Sequence, residues 1–263
     1  MTVDETAVIA IARAAAVAIL EVYQSATLVA ETKTDQSPLT EADLRAHHLI
    51  VARLATLTPD WPVLSEEASD LPFATRSRWS RYWLIDPLDG TREFLSRNGE
   101  FTVNIALIEG GRPVLGVVHV PVSGITYWGG AGRGAWRVSQ DEPARNIQVR
   151  AQLGEIIRVA GSRSHRGDSL DLFLSRVGRN ELVSMGSSLK FCLIAEGAAD
   201  VYPRLGPTSE WDTAAAQAVV EGAGGAVLTL DGDPLRYNTK AEYLNPSFVA
   251  FGSRRRDWLA LLR

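Results

Sequence analysis

The residues best suited to chemistry stand where an apolar segment from Tyr82 ends in Asp-Pro-Leu-Asp-Gly-Thr, residues 86–91. The pattern predicts a strand that delivers Asp86 at its carboxyl end and that the following proline stops. Asp89 comes three residues later, on a turn that the next glycine allows to tighten. Two carboxylates at the mouth of one strand suit a hard divalent cation such as Mg²⁺. An Asp-Gly turn beside an unrelated aspartate gives the same pattern, so this motif alone does not decide.

Carboxylates also stand at three other predicted boundaries between elements. Glu66 and Glu67 end a short strand, Asp43 begins a helix, and Asp212 opens an alanine-rich helix. Each has an ordinary explanation. The glutamates suit a solvated loop, Asp43 suits a capping box, and Asp212 suits the positive end of a helix dipole. Together they support the hypothesis that acids far apart in the chain converge on shared cations.

The elements that must position these acids change character along the chain. Apolar residues at three- and four-residue spacing predict helices over about residues 4–24 and 40–57. Alternating apolar residues predict an antiparallel meander between residues 82 and 138. Further strands are predicted at 157–161, 182–185 and 200–202, and helices at about 168–177, 187–197 and 212–222. This order predicts a layered α/β chain with two lobes, residues 1–150 and 151–263.

The connection from residue 66 to residue 81 has little periodicity and is long enough to be a functional loop. It carries Arg76, Arg78 and Arg81 around Trp79. Basic residues interleaved with an aromatic residue contact nucleic acid in some proteins. Three arginines on a loop are also typical of a solvated surface, and we expect a solvated face here.

Composition excludes several classes of protein. The 263 residues are 46% hydrophobic and 22% charged, which is a globular balance. With 27 Lys+Arg against 31 Asp+Glu, the net charge of −4 provides no basic field for a nucleic-acid polymer. The richest apolar run, residues 7–20, is interrupted by Arg13, so we predict no transmembrane segment. The opening Thr-Val-Asp-Glu lacks the basic start of a signal peptide, so we predict none.

Cysteine usage indicates the compartment. The single cysteine, Cys192, cannot form an internal disulfide, so we predict a reducing cytoplasm. Its apolar neighbours predict a buried thiol in the core.

With their neighbours, the four acidic segments resemble the inositol monophosphatase superfamily. The segments are Ser-Pro-Leu-Thr-Glu-Ala-Asp at 37–43, Pro-Val-Leu-Ser-Glu-Glu at 62–67, Asp-Pro-Leu-Asp-Gly-Thr-Arg-Glu-Phe at 86–94 and Trp-Asp-Thr-Ala-Ala at 211–215. Two more are similar to the bisphosphate nucleotidase branch, Asn-Gly-Glu-Phe-Thr-Val-Asn-Ile-Ala at 98–106 and Gly-Ser-Ser-Leu-Lys-Phe-Cys at 186–192. The resemblance runs from about residue 5 to residue 250, with its motifs in order.

The resemblance implies a layered α/β/α/β/α sugar-phosphatase-like sandwich, with an N-terminal antiparallel sheet lobe and a C-terminal mixed α/β lobe. It implies metal ligation by Glu66, Glu67, Asp86, the backbone carbonyl of Leu88, Asp89 and Asp212. Glu66 resembles a ligand that bridges two ions. Thr91 and Asp43 look like the catalytic pair that orients and deprotonates the attacking water.

The resemblance also implies a substrate pocket formed by Gly90, Thr91, His165, Gly186, Ser187, Lys190, Arg204 and Asp212. A bisphosphate nucleotide carries a second phosphate and a base, so it needs cationic and polar groups away from the metals. Taken singly, the histidine, the Gly-Ser-Ser cap and the two cations are also typical of solvated surface positions.

The implied activity is that of a Mg²⁺-dependent phosphatase with two or three ions per site, which Mn²⁺ could replace and Li⁺ or Na⁺ would inhibit. The implied reaction converts adenosine 3′,5′-bisphosphate to AMP and phosphate in sulfur metabolism, with 3′-phosphoadenylyl sulfate as a second substrate. Two alternatives stay open: a phosphatase for inositol monophosphate or a sugar phosphate, and a non-catalytic sensor that binds metal and nucleotide. We expect a monomer or homodimer in the cytoplasm; the resemblance adds the inner face of the membrane as a second location.

Overall fold

The computed structural model describes residues 3–24, 30–32, 38–162 and 168–262. The helices are α1 Glu5–Gln24, α2 Glu41–Leu57, α3 Phe73–Arg76, α4 Thr91–Leu95, α5 Asp168–Val177, α6 Leu189–Ala195 and α7 Glu210–Gly222. The strands are β1 Ala30–Thr32, β2 Pro38–Thr40, β3 Val63–Ser65, β4 Arg81–Asp89, β5 Thr102–Glu109, β6 Arg112–His119, β7 Thr126–Gly130, β8 Gly134–Val138, β9 Arg145–Ile147, β10 Ile157–Ser162, β11 Asn180–Met185, β12 Val201–Arg204, β13 Ala226–Thr229 and β14 Phe248–Phe251. A 3₁₀ turn, Glu66–Ala68, follows β3.

Two large sheets and three groups of helices form five layers. The first sheet has the order β3-β4-β5-β6-β7-β8-β9 and is antiparallel except for the parallel pair β3 and β4. The second has the mixed order β11-β10-β12-β14-β13. Helices α1 and α2 cover the outer face of the first sheet, α6 and α7 lie between the sheets, and α5 packs on the second sheet. The α/β/α/β/α expectation is confirmed.

The central helix α7 lies very close to the first sheet. A Cβ added to Gly116 on β6 would come within 2.0 Å of the carbonyl oxygen of Ala215. Four buried alanines on α7, at 214, 215, 216 and 218, provide the matching flat surface. This close packing carries the first turn of α7 up to the end of β4, where the acidic residues lie.

Strand β4 corrects one prediction. The strand continues through Pro87 to Asp89, whereas we expected the proline to stop it. Its pairing with β5 becomes irregular between Asp86 and Asp89, which pair with Asn104 and Thr102. A proline is tolerated at such a bulge because its missing N–H falls where the ladder is already interrupted.

Other predicted boundaries also shift. Helix α6 begins at Leu189 rather than 187, because Ser187 has a φ of 51°, outside the range of a right-handed helix. Helix α7 begins at Glu210, two residues earlier than predicted. The short strands β13 and β14 were not predicted, since runs of four residues carry little periodicity. The division at residues 150/151 stays a prediction.

We expected Arg76 to lie on a solvated face, but the structure buries it, with 1% of its surface exposed. Its guanidinium lies 4.9 Å from the ring centroid of Phe73 and 4.2 Å from that of Tyr243. It donates to the side-chain oxygen of Asn238 and to the carbonyl of Ala241. Stacked rings cover the faces of the guanidinium while its two Nη groups donate in the plane, which allows this arginine to be buried although its Nε has no partner among the described residues.

Helix α1 is long and apolar enough to cross a membrane by length and composition alone, a test that the core helix of a soluble protein also passes. In this fold Val8, Ile11, Ala15 and Ile19 are buried in the core formed with α2 and the first sheet. Cys192 is buried in the core between the sheets, as predicted.

Candidate metal centre and adjoining cavity

Three carboxylates from separate elements meet at the end of β4. Oxygens of Glu66, Asp86 and Asp212 all lie within 4.8 Å of one another. Glu66 follows β3, which pairs in parallel with β4, so the carboxyl ends of both strands fall at the same edge. Asp212 comes from the first turn of α7. The structure therefore brings together three of the predicted metal ligands.

The electrostatics of this group are those of crowded negative charge. Burial raises the pKa of Asp86 well above its ordinary value, and Glu66, Asp89, Asp212 and Asp43 raise it further by repulsion. Asp86 is only 1% exposed. Water therefore does little to disperse its charge. A hard divalent cation would stabilise such a group, because its charge offsets the repulsion between the carboxylates.

Asp212 makes two kinds of interaction in the first turn of α7. Burial, Asp89 and Glu66 raise the pKa of Asp212, while the Ser209 N–H and Arg204 oppose that rise. The Ser209 N–H donates to Oδ2 of Asp212 at 2.9 Å. Asp212 therefore stabilises the start of its own helix, as its ordinary explanation predicted, and it also belongs to the acidic group.

Asp89 lies beside this group of three acids, and its side chain accepts hydrogen bonds from the two serines that precede α6. Its Oδ2 accepts hydrogen bonds from Ser187 Oγ at 2.6 Å and from the Ser188 N–H at 2.7 Å. Asp89 is near enough to raise the pKa values of Asp86 and Asp212 by repulsion. It remains a predicted ligand.

The other predicted ligands and the catalytic pair surround this group. The Leu88 N–H donates to Asp86 Oδ1 at 3.1 Å, and the Glu67 N–H donates to Ser65 Oγ at 3.3 Å. Asp43 is buried on the first turn of α2, with 2% of its surface exposed. Thr91 begins α4, directly after the acids of β4. Their roles in ligation and catalysis stay predictions.

A cavity adjoins the acids on the side of the second sheet. Its walls include the predicted substrate residues Gly90, Ser187, Lys190, Arg204 and Asp212, together with Glu93, Ser162, Tyr202 and Thr208. Gly186 lies behind this wall and donates its N–H to Glu100 Oε2 at 2.8 Å. His165 lies outside the described residues.

The two cationic side chains of the cavity wall, Lys190 and Arg204, differ in their hydrogen bonds. Lys190 is 6% exposed, and burial lowers its pKa to about 8. Its Nζ donates to the carbonyl of Ser187 at 2.5 Å. Arg204 donates one Nη to the carbonyl of Pro207 at 2.7 Å, but its buried Nε has no hydrogen-bond partner among the described residues.

Sequence reasoning missed His47. Its Nδ1 lies 2.8 Å from Ser65 Oγ, immediately before the two glutamates. His47 lies one helical turn after Asp43 on α2, and this i, i+4 spacing was the available signal. Glu93, buried on α4 in the cavity wall, was also missed.

Comparison with known proteins places the whole chain in one group. The inositol monophosphatase family model matches residues 2–257. The chain is 50% identical over 240 residues to a Salmonella typhimurium protein named 3′(2′),5′-bisphosphate nucleotidase CysQ, covering 90% of this chain and 95% of the relative. It is 37% identical over 234 residues to a Haemophilus influenzae protein of the same name, covering 89% and 87%.

Solved structures agree with these relatives. The crystal structure of CysQ from Bacteroides thetaiotaomicron aligns with a TM-score of 0.82 and 40% identity, over 96% of this chain and 97% of that one. The suppressor protein suhB from Bartonella henselae aligns with a TM-score of 0.78 over 98% and 97%. At 23% identity, that second likeness concerns the fold alone.

Proposed function

This chain belongs to the inositol monophosphatase family, and from that premise we propose that it is a metal-dependent 3′(2′),5′-bisphosphate nucleotidase. The proposed reaction hydrolyses the 3′-phosphate of adenosine 3′,5′-bisphosphate to give AMP and phosphate, with 3′-phosphoadenylyl sulfate as a second substrate. One observation carries the proposal: carboxylates of Glu66, Asp86 and Asp212 lie together, and Asp212 also lines the cavity that Lys190 and Arg204 line.

The donor set fits a hard cation. The group of three consists of carboxylates only, and Asp86 and Asp212 are both held in surroundings that raise their pKa values. Oxygen donors favour Mg²⁺ and also accept Mn²⁺. We propose Glu66, Glu67, Asp86, Asp89, Asp212 and the Leu88 carbonyl as the residues that would hold it. When bound, such cations neutralise a dianionic phosphate and acidify water.

The residues around the acids divide the remaining tasks. We assign to Thr91 the orientation of the attacking water and to Asp43 the acceptance of its proton, because a threonine hydroxyl is a weak base alone. Asp43 is suited to this by its burial beside the acids. Arg204 lines the cavity, and its permanently charged guanidinium is suited to an anionic group such as the second phosphate.

A substrate panel tests the activity. We expect phosphate release from adenosine 3′,5′-bisphosphate with Mg²⁺ and none after chelation. Turnover of inositol monophosphate or a sugar phosphate should be much weaker. A preference for the single-phosphate esters would support the rival phosphatase, and nucleotide binding without phosphate release would support the sensor.

Substitution of Arg204 tests the second-phosphate contact. Losing a hydrogen bond to a charged group costs about 1.5–3 kcal/mol, so Arg204→Gln should lower kcat/KM for the bisphosphate by roughly 10–100-fold. Turnover of a single-phosphate ester should change little. Arg236→Gln is the matched control, since Arg236 also donates an Nη to a backbone carbonyl at 2.7 Å, far from the cavity. Equal losses on both substrates would refute the assignment. The cytoplasmic location, the monomeric or homodimeric state and the place in sulfur metabolism stay predictions.

A further inference from the structure

The two serines after Gly186 bind a single oxygen of Asp89. Ser187 Oγ lies 2.6 Å from Asp89 Oδ2, and the Ser188 N–H and Oγ lie 2.7 and 2.9 Å from the same atom. Asn104 Nδ2 approaches it at 3.5 Å. A carboxylate oxygen has about two lone-pair directions. Neutral donors therefore saturate Oδ2, and Oδ1 is the oxygen that Asp89 can offer to a cation.

Ser188 also links Asp89 to the other side of the acidic group. Its Oγ lies 2.6 Å from the carbonyl oxygen of Asp212 and accepts a hydrogen bond from Asn104 Nδ2 at 3.0 Å. A hydroxyl carries one proton, so it donates either to Asp89 or to the Asp212 carbonyl at any moment. The Ser188 N–H holds Asp89 in both cases. One residue thus contacts β4 and the first turn of α7 together.

The turn that carries these serines needs support from its surroundings. Ser187 has a φ of 51°, a left-handed conformation that L side chains rarely adopt. Lys190 Nζ donates to its carbonyl at 2.5 Å, and Thr102 Oγ1 lies 2.7 Å from its Oγ. The preceding Gly186 is tied to Glu100. Backbone in such a conformation persists where surrounding contacts over-determine it, and it clusters at functional sites.

We propose that the 186–188 turn is a positioning element for Asp89: its serines occupy Oδ2, so that the carboxylate binds a cation through Oδ1 alone. Lys190 holds the turn in its left-handed conformation and acts through it. This inference rests on the proposed function, because it assigns the turn a part in cation binding. It gives Lys190 a different task from the substrate contact that the resemblance implies.

Cation binding without substrate tests the turn directly. Loss of a group that orients a metal ligand typically weakens metal affinity by 10–100-fold. Removal of both hydroxyls leaves the Ser188 N–H as the one close donor to Oδ2, so the double variant Ser187→Ala/Ser188→Ala should raise the Kd for Mn²⁺ by roughly 10–100-fold in calorimetric titrations. Ser187→Ala alone, which keeps the Ser188 hydroxyl and N–H, should raise the Kd less. Ser175→Ala is the control, since the exposed Ser175 donates to the Leu172 carbonyl at 2.7 Å on α5.

Two further variants separate hydrogen bonding from backbone strain. Ser187→Gly removes the same hydroxyl but favours the left-handed backbone, so it should weaken Mn²⁺ binding as Ser187→Ala does. Lys190→Met should weaken it too, and should lower turnover of bisphosphate and single-phosphate substrates equally. A loss confined to the bisphosphate would overturn the assignment of Lys190 to the turn.

The outcomes distinguish this inference from the function on which it rests. If the wild-type protein binds Mn²⁺ and the double alanine variant binds it with a Kd within twofold of the wild-type value, the positioning element is refuted and the proposed function stands. If the wild-type protein binds no divalent cation, both are refuted. Far-UV circular dichroism on each variant checks that the fold is intact.

Discussion

Glu210 and Asp212 stand two residues apart in the first turn of α7 and belong to two different groups of buried charge. Both have a raised pKa, and burial is the main cause in each: Glu210 reaches about 7, and Asp212 rises well above its ordinary value. Their partners differ. Both carboxylate oxygens of Glu210 accept the Asn238 N–H, at 3.0 and 2.8 Å, and Arg76 and Lys240 lower its pKa. Asp212 instead faces further carboxylates.

The group around Glu210 is completed by the protein itself. Arg76 supplies the opposite charge, and Asn238 Nδ2 donates back to the Arg76 carbonyl at 2.6 Å. These contacts join α3 to the segment after β13. A raised pKa therefore does not mark a functional site by itself. The useful distinction is whether the fold supplies the compensating cation, as it does for Glu210, or leaves the acids to repel one another, as around Asp86.

The largest expected effect comes from neutralising the acidic group. Asp86→Asn keeps the shape of the side chain but removes a charge that a bound cation would need, so phosphatase activity should fall by roughly three orders of magnitude. The cation-free protein should become about 1 kcal/mol more stable, because the substitution removes buried repulsion. Phosphate release and thermal unfolding measure the two effects.

The stability gained on adding Mg²⁺ provides a second measurement of the same substitution. A cation at 100 times its Kd should stabilise the wild-type protein by about 2.7 kcal/mol, and Asp86→Asn should lose most of that gain. Asp70→Asn, at an exposed acid near the turn after β3, should behave as wild type. Unchanged Mg²⁺-dependent turnover in Asp86→Asn would show that this group does not hold the catalytic cation.

The second prediction concerns the group around Glu210, where Arg76 provides the opposite charge. Arg76→Met preserves packing against the rings of Phe73 and Tyr243 but leaves Glu210 without its opposite charge. The substitution also leaves Asn238 Oδ1 and the Ala241 carbonyl without their donor, and each unsatisfied buried acceptor costs about 1–3 kcal/mol. Urea unfolding should show this loss, whereas turnover per folded molecule should stay near the wild-type value.

The matched control for this change is Arg78→Met, which lies on the same segment but is exposed. Exposed substitutions usually stay within about 0.5 kcal/mol of wild type. If Arg76→Met lost activity while keeping its stability, the division between a structural and a functional group would be wrong.

The third prediction uses a histidine away from both groups. Burial lowers the pKa of His119 to about 4, and Arg13 contributes by repulsion. A depressed folded-state pKa gives stability that is present above the unfolded value of 6.5 and is lost as pH falls through about 4. The loss approaches about 3 kcal/mol.

The acidic group has the opposite pH dependence. The raised pKa values of Asp86 and Asp212 mean that protonation relieves repulsion, so their contribution to stability grows as pH falls. Loss of stability between pH 6.5 and 4 should therefore be smaller in His119→Gln than in wild type, as measured by urea unfolding at several pH values. The exposed His48→Gln is the control. Equal pH slopes in wild type and His119→Gln would exclude His119 as the cause.

Local pattern predicted much of this fold because periodicity reports which face of an element is buried. The spacing of apolar residues located α1 and α2, and alternation located β5. The prediction failed where a distant partner decided the outcome. Arg76 is buried because Tyr243 and Asn238 reach it from the far end of the chain, and no local window contains them.

The candidate site divides in the same way. Residue types and motif order identified the acids, since carboxylates at strand and helix boundaries suit a divalent cation. Their number and identity could be taken from the chain alone. The role of Ser187 could not, because its left-handed backbone depends on Lys190, Thr102 and Glu100 meeting at one turn.

The order of residues thus determined which side chains have the chemistry to bind a cation, whereas packing decided which of them lie together. Residues two apart on a helix point about 200° away from each other. Asp212 can therefore lie among the acids of β4 while Glu210 accepts the Asn238 N–H. The close contact between Gly116 and Ala215 brings α7 against the first sheet and so sets which acid meets Asp86. That choice is a property of the packed layers, because it depends on a contact between residues 99 positions apart in the chain.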